Sequence, residues 1–210
     1  MLEPIYQSIL EGDAATASAG VEAALAAEVE PGDILNKAMI PAMAEVGRRF
    51  EAQDYFIPEM LISARAMQSG LVILKPHLVE SNIESAGTVV LGTVSGDLHD
   101  IGKNLVGMML EGAGFEVVDL GTDVSPEKFV TAAQEEGADI VAMSALLTTT
   151  MPRMATTIDA LVSSGARDRL KVMVGGAPLT QQFAEQIGAD LYAPDASTAA
   201  RQAKALLNPN

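Results

Sequence analysis

The chain has no cysteine and no tryptophan, and its aromatics amount to five phenylalanines and three tyrosines. Without thiols there are no disulfides, no thiolate zinc sites and no cysteine-ligated iron–sulfur clusters. Cations are also short, 13 Lys and Arg against 28 Asp and Glu, which leaves a formal net charge of -15. Neutralising phosphates with Lys and Arg is therefore not an available binding mode, which argues against nucleic acid and anionic membranes as partners. No apolar run reaches membrane-spanning length, and Met1-Leu2-Glu3-Pro4 has neither the basic start nor the apolar core of a secretory signal. The expectation is a cytoplasmic protein. Its acidic surface would favour docking on basic patches of partners. What the chain has in quantity is methionine, 11 residues, whose ordinary use is to fill irregular apolar gaps.

The 210 residues suffice for one or two domains with real cores, and the pattern changes near residue 85. Everything before it reads as helix. A short helix is predicted over 3–10, and a second, capped by Asp13, runs towards Ala27. A third would be capped by Asp33 and carry Ile34, Leu35, Ala38, Met39, Ala42, Met43, Val46 and Phe50 at helical spacing, with Pro41 kinking or dividing it. The last begins near Tyr55-Phe56-Ile57-Pro58 and presents Ile57, Met60, Leu61, Ala64, Met67, Leu71 and Leu74 as a stripe. Together these predict a four-helix bundle over 1–86.

After a small, polar linker at 80–87 the rhythm alternates. Strands are predicted at 88–94, 115–120, 139–144, 171–174 and 190–193, and helices at 103–113, 126–136, 151–164, 180–187 and 196–207. Five such β-α units over 87–210 predict an α/β domain, a flavodoxin-like, Rossmann-type doubly wound parallel sheet. Ligands of such sheets bind at the carboxyl ends of the strands, near the switch point beside the first strand.

The loop expected there is Gly96-Asp97-Leu98-His99-Asp100-Ile101-Gly102-Lys103. It places an aspartate two residues before one of only two histidines, an arrangement suited to offering a single imidazole ligand to a metal. A phosphate loop is a poor alternative. Five residues separate Gly96 from Gly102, Asn104 stands where a Ser or Thr would hold magnesium, and two aspartates would repel phosphate. A receiver-type phosphoaspartate site would leave His99 and the helical half unexplained. Small residues close the other strands: Ser144-Ala145-Leu146 before Leu147-Thr148-Thr149-Thr150, then Gly175-Gly176, then Tyr192-Ala193-Pro194. Taken singly these read as a turn and a helix cap. Taken together they leave a slot at the strand ends with hydroxyls beside it.

This set resembles the cobalamin-binding signature Asp-x-His-x-x-Gly, Ser-x-Leu, Gly-Gly of methionine synthase and its relatives, through Asp97, His99 and Gly102, Ser144 and Leu146, and Gly175 and Gly176. Phe50-Glu51, Tyr55 to Met60 and Ser63 to Met67 resemble the helical cap of the same family, so the resemblance spans essentially the whole chain. At this size it is similar to the corrinoid proteins of anaerobic methyltransferase systems, which handle methyl groups from methylamines, methanol, betaines or aryl methyl ethers.

The resemblance implies a cobalamin or related corrinoid bound base-off and His-on. His99 would be the metal ligand, the lower axial ligand of cobalt. Asp97 would accept its other ring N–H, and Thr150 would be the hydroxyl partner of Asp97, where methionine synthase carries Ser. Gly96, Leu98, Asp100, Ile101 and Gly102 would surround the cofactor. Ser144, Leu146, Thr148, Gly175, Gly176, Tyr192 and Ala193 would line the slot for the nucleotide tail, and Phe56 and Met60 would face the methyl side from the cap. Cobalt(I) would take a methyl group from a substrate-specific methyltransferase, and methyl-cobalt(III) would deliver it to a second methyltransferase with a tetrahydrofolate or thiol acceptor. A reductive activase would be a further partner, and the subunit would not be catalytic alone. Three readings stand beside this one: the small subunit of an adenosylcobalamin mutase, a cobalamin-dependent sensor, and a flavodoxin-like protein that binds no corrinoid.

Overall fold

A computed structural model describes residues 1–81, 83 and 85–207. The chain divides into two compact units, Met1–Ser85 with Glu111–Gly114, and Ala86–Leu110 with Phe115–Asn210. Of the expected linker, Asn82 and Glu84 lie outside the described residues. Among the described residues no helix is long and apolar enough to cross a membrane.

The first unit is helical. Helix α1 (Leu2–Glu11) ends at Gly12, whose φ of 75° lets the chain reverse, and Asp13 accepts the Thr16 N–H at 3.0 Å to open α2 (Ala14–Ala26). The expected cap at Asp33 is not what forms. The next helix, α3 (Pro31–Ile34), has Glu30 as its cap, three residues earlier, because Pro31 has its φ preset and no N–H to satisfy; Asp33 instead pairs with Lys37 at 2.8 Å. The helical run is divided just before Pro41, where division was expected. A π-helical turn, Leu35–Met39, is closed by the Ile40 N–H on Leu35 O and hands over to α4 (Ile40–Glu51). Helix α5 (Ile57–Glu80) begins with Pro58 in its first turn and continues through Pro76. Ile5, Ile9, Val21, Met39, Met43, Met60, Met67 and Leu74, each at most 2% exposed, form the buried interior, so methionine does here the gap-filling that its abundance suggested.

The second unit is a five-stranded parallel sheet in the order β2-β1-β3-β4-β5, built from β1 (Thr88–Thr93), β2 (Glu116–Asp119), β3 (Ile140–Ser144), β4 (Lys171–Gly175) and β5 (Leu191–Ala193). The crossovers are α6 (Ile101–Gly112), α7 (Pro126–Glu135), α8 (Pro152–Ser163) and α9 (Gln181–Gln186), and α10 (Ala196–Leu207) follows β5. Because β1 is paired with β2 on one side and β3 on the other, the direction of winding reverses between β1 and β3. Val89, Val90, Val141 and Val172 are fully buried, as strands covered on both faces require. Gly92 leaves room for Phe129 of α7, whose ring lies 2.8 Å from where a Cβ would stand.

Register sets the site. Thr93 pairs with Ser144, Ser144 with Gly175 and Gly175 with Ala193, so four small residues form one row across the carboxyl edge. Just beyond it Gly176, at φ 138°, approaches β3 so closely that a Cβ would lie 1.9 Å from Ala145 O. Gly176→Ala should therefore destabilise the protein in urea unfolding. Gly137→Ala (φ 61°, no neighbour within 4 Å) faces only a backbone cost of about 1–2 kcal/mol. The Gly176 variant should lose roughly 1–3 kcal/mol more, because its neighbour is main chain and cannot swing aside.

Candidate functional site

The loop leaving β1 is pinned on every side before its histidine is reached. The Val94 N–H donates to Ser144 O at 3.0 Å, which ties the loop to the end of β3. Gly96, at φ 81°, donates its N–H to Asp123 Oδ1 at 2.7 Å, and the Asp123 N–H donates to Asp97 O at 3.0 Å. Buried Thr93 donates its hydroxyl to His99 O at 2.9 Å. The loop thus spans the ends of β1, β2 and β3, at the switch point.

Asp97 has no exposed surface. Its Oδ2 accepts the Thr150 hydroxyl at 2.7 Å and the N–H groups of Leu146 and Leu147 at 2.8 and 3.3 Å; its Oδ1 accepts the His99 N–H at 3.1 Å and faces His99 Nδ1 at 2.7 Å. Burial pushes the carboxyl towards its neutral form. The Thr150 hydroxyl, the Leu146 N–H and the two His99 groups outweigh it and hold the pKa well below the carboxylate range. An ionised Oδ1 accepts, so the proton between it and the imidazole belongs on Nδ1. That leaves the Nε2 lone pair free. The His99 side chain is 51% exposed and Nε2 has no partner among the described residues. The result is an accessible ring nitrogen on an imidazole oriented by Asp97.

Its surroundings are apolar and open. Leu98 and Ile101 flank it at 74% and 80% exposed, and Leu146 and Leu147 are exposed as well. Asp100 is exposed and accepts from the Asn104 side chain at 3.2 Å. Gly102 meets nothing within 4 Å, and its φ is not of the kind that demands glycine. Ser144, Gly175 and Ala193 share the row at the strand ends, Thr148 is exposed in the segment after β3, and Tyr192 packs half-buried against the sheet core. Gly176 is explained within the chain by Ala145 and needs no ligand to account for it.

The helical unit holds the two remaining expected residues. Phe56, at the start of α5, is 60% exposed, and its N–H is taken by Glu59 at 3.0 Å. Met60 is fully buried, one turn before Ser63, which bonds Leu10 O at 3.2 Å. It offers a ligand no surface, and its place in the stripe is that of a core residue.

Sequence reasoning gave no role to Thr93, Asp123, Lys103 and Asp119. Thr93 and Asp123 hold the loop, yet they belong to a strand end and to the turn after β2. The one visible sign was an aspartate after Gly121-Thr122, and only the parallel register of β1 and β2 brings it to Gly96.

A B12 binding domain model matches residues 87–202, and a second model of the same description matches residues 1–75. The chain belongs to the B12-binding family. Its relatives there include trimethylamine corrinoid protein 1 of Methanosarcina acetivorans, 44% identical over 202 residues, covering 95% of this chain and 94% of that one. The dimethylamine corrinoid protein of Methanosarcina barkeri is 44% identical over 208 residues, covering 99% and 97%. Among solved structures, the methanol:cobalamin methyltransferase complex of Methanosarcina barkeri contains a chain similar to this one at TM-score 0.86 and 33% identity, covering 98% of this chain and 79% of that one. The B12-binding family thus accounts for both halves of the molecule.

The Asp97 geometry has a pH signature. Because the folded carboxyl binds its proton less readily than the unfolded one, its contribution is complete above the ordinary value of about 3.9 and is lost as pH falls from there towards the folded value. The stability gap between wild type and Asp97→Asn should be widest near neutrality and shrink below about pH 4. Thr150→Val should cost about 1–3 kcal/mol near neutrality by leaving Oδ2 short of a donor. Urea unfolding at several pH values measures both.

Proposed function

We propose that this chain is a corrinoid-carrying methyl shuttle in which His99 Nε2 is the lower axial ligand of cobalt. The observation that carries the reading is the ionised, buried Asp97 gripping Nδ1, which leaves a single free lone pair on an exposed ring. Among the described residues no three His, Cys, Asp or Glu side chains gather to hold a bare metal ion. One protein ligand is enough only for a metal that brings the rest of its coordination with it, as cobalt in a corrin does. The neighbourhood also fits. Leu98 and Ile101 offer apolar surface beside the ring, and the open space over Gly102 would be filled by a Cβ. Ser144, Leu146, Thr148, Gly175, Gly176, Tyr192 and Ala193 supply the strand-end surface proposed for the nucleotide tail.

When bound, the corrinoid would supply a cobalt able to accept a methyl group and give it up again. The chain's own share is to hold Nε2 in place, to keep Nδ1 protonated through Asp97, and to secure Asp97 through Thr150 and the Leu146 N–H. The same carboxylate would stabilise a positive charge on the imidazole when Nε2 holds no metal. The helical unit, residues 1–86, is the proposed cap, with exposed Phe56 its candidate contact. The relatives named above support a donor of the methylamine or methanol type. A substrate-specific methyltransferase, an acceptor methyltransferase and a reductive activase are the proposed partners, and the cytoplasm the proposed location.

The test is an absorption spectrum of the purified protein after loading with hydroxocobalamin and desalting, beside His99→Ala. Wild type should retain the corrinoid with a spectrum that His99→Ala alters, and the variant should bind about 10–100-fold more weakly. A desalted wild type without corrinoid would sink the reading. Gly102→Ala should fold normally, gaining up to about 1 kcal/mol as alanine replaces glycine in a helix, while retaining less corrinoid.

A further inference from the structure

Beyond Asp97 and Thr150, one polar network beside the loop has no part in the function proposed above. Lys103, in the first turn of α6, is the buried cation of the second unit among the described residues, its side chain 1% exposed. Its ammonium donates to Asp119 Oδ2 at the end of β2 and to Asn104 Oδ1 at 2.6 Å. The Asn104 amide donates in turn to Asp100 Oδ2 at 3.2 Å, and its backbone N–H donates to Asp100 O at 2.7 Å. Asp119 is itself held by the Gly121 N–H at 2.9 Å.

Stability is a weak reason to keep such a group. A buried ammonium is expensive to desolvate, and apolar replacements of buried ion pairs are commonly neutral or stabilising. A cation in the first turn of a helix also opposes the helix dipole. What the ammonium does achieve is geometric. It joins the start of α6 to the end of β2 and, through Asn104, reaches Asp100, the residue directly after His99. The loop carrying His99 is therefore held from two sides. On the β3 side the anchor is Asp97 with Thr150 and Leu146; on the β2 side it is Lys103 with Asp119 and Asn104.

We infer that Lys103 is a positioning residue for His99, acting through the Asp119–Lys103–Asn104–Asp100 chain so that the imidazole is fixed before any ligand arrives. The inference rests on the reading of His99 as a metal ligand, but its loop-fixing half concerns the protein without cofactor.

The experiment compares the cofactor-free wild type with Lys103→Met, which keeps the unbranched stem and removes the charge. Asp119→Asn is the second variant; it keeps the acceptor for the Gly121 N–H and weakens the grip on the ammonium. Amide hydrogen exchange of Gly96, Asp97 and His99 is read against the thermal midpoint, followed by titration with hydroxocobalamin. In both variants exchange at these amides should quicken by about tenfold or more, while the midpoint stays within about 4 °C. Affinity for hydroxocobalamin should fall by about 10–100-fold. Folded variants with wild-type exchange would overturn the inference, as would quickened exchange with unchanged affinity. If wild type itself retains no hydroxocobalamin, the functional reading and the ligand half of the inference fall together. The exchange comparison still decides the positioning half.

Discussion

A carboxylate with no exposed surface stays ionised only if the protein surrounds it with donors, and much of the site's architecture meets that demand at Asp97. Four of its contacts come from groups that must already be in place: a hydroxyl and two main-chain N–H groups of the segment after β3, and the N–H of His99. The fifth is the imidazole itself. Losing the fold of the segment after β3 would leave the charge stranded, so the same electrostatics that select a tautomer at His99 also lock two loops together. The imidazole is a by-product of this arrangement in one sense. Its orientation is decided by what Asp97 needs.

The sheet order makes the arrangement feasible. With β1 between β2 and β3, the loop after β1 reaches the exits of both neighbours, and each provides a tether: Ser144 O and the Leu146 N–H on one flank, Asp123 on the other. Small residues in the row Thr93, Ser144, Gly175 and Ala193 keep the edge low, and Gly176 allows the β3 and β4 exits to close against each other. Exposed Leu98 and Ile101 are the cost of this geometry. Apolar side chains at 74% and 80% exposure beside a free nitrogen are unfavourable in water and become favourable once something flat and apolar covers them.

Much of this was legible beforehand. Continuous apolar runs at 88–94 and 139–144 mark buried parallel strands, and the five β-α units emerge with ends displaced by a residue or two. Where the reading erred, a local rule was overruled by another. Asp33 has a cap's chemistry, but Pro31 starts the helix first. Met60 falls on an amphipathic stripe, which cannot distinguish a core face from a binding face, and it lies in the core. Gly176 has a further reason to be glycine that the motif does not record, the backbone of Ala145 beside it.

The sequence by itself determined the class of fold, the loop at the switch point and the identity of its histidine, because alternation of apolar runs and a short motif are local properties. Only the tertiary structure decided that Asp97 would be buried and ionised, that Asp123 would clamp Gly96 from 27 residues away, and that Lys103 would be sealed against Asp119. Those outcomes depend on which strand ends become neighbours. Parallel pairing brings together residues whose separation in the chain is set by crossover helices, and no local pattern records it.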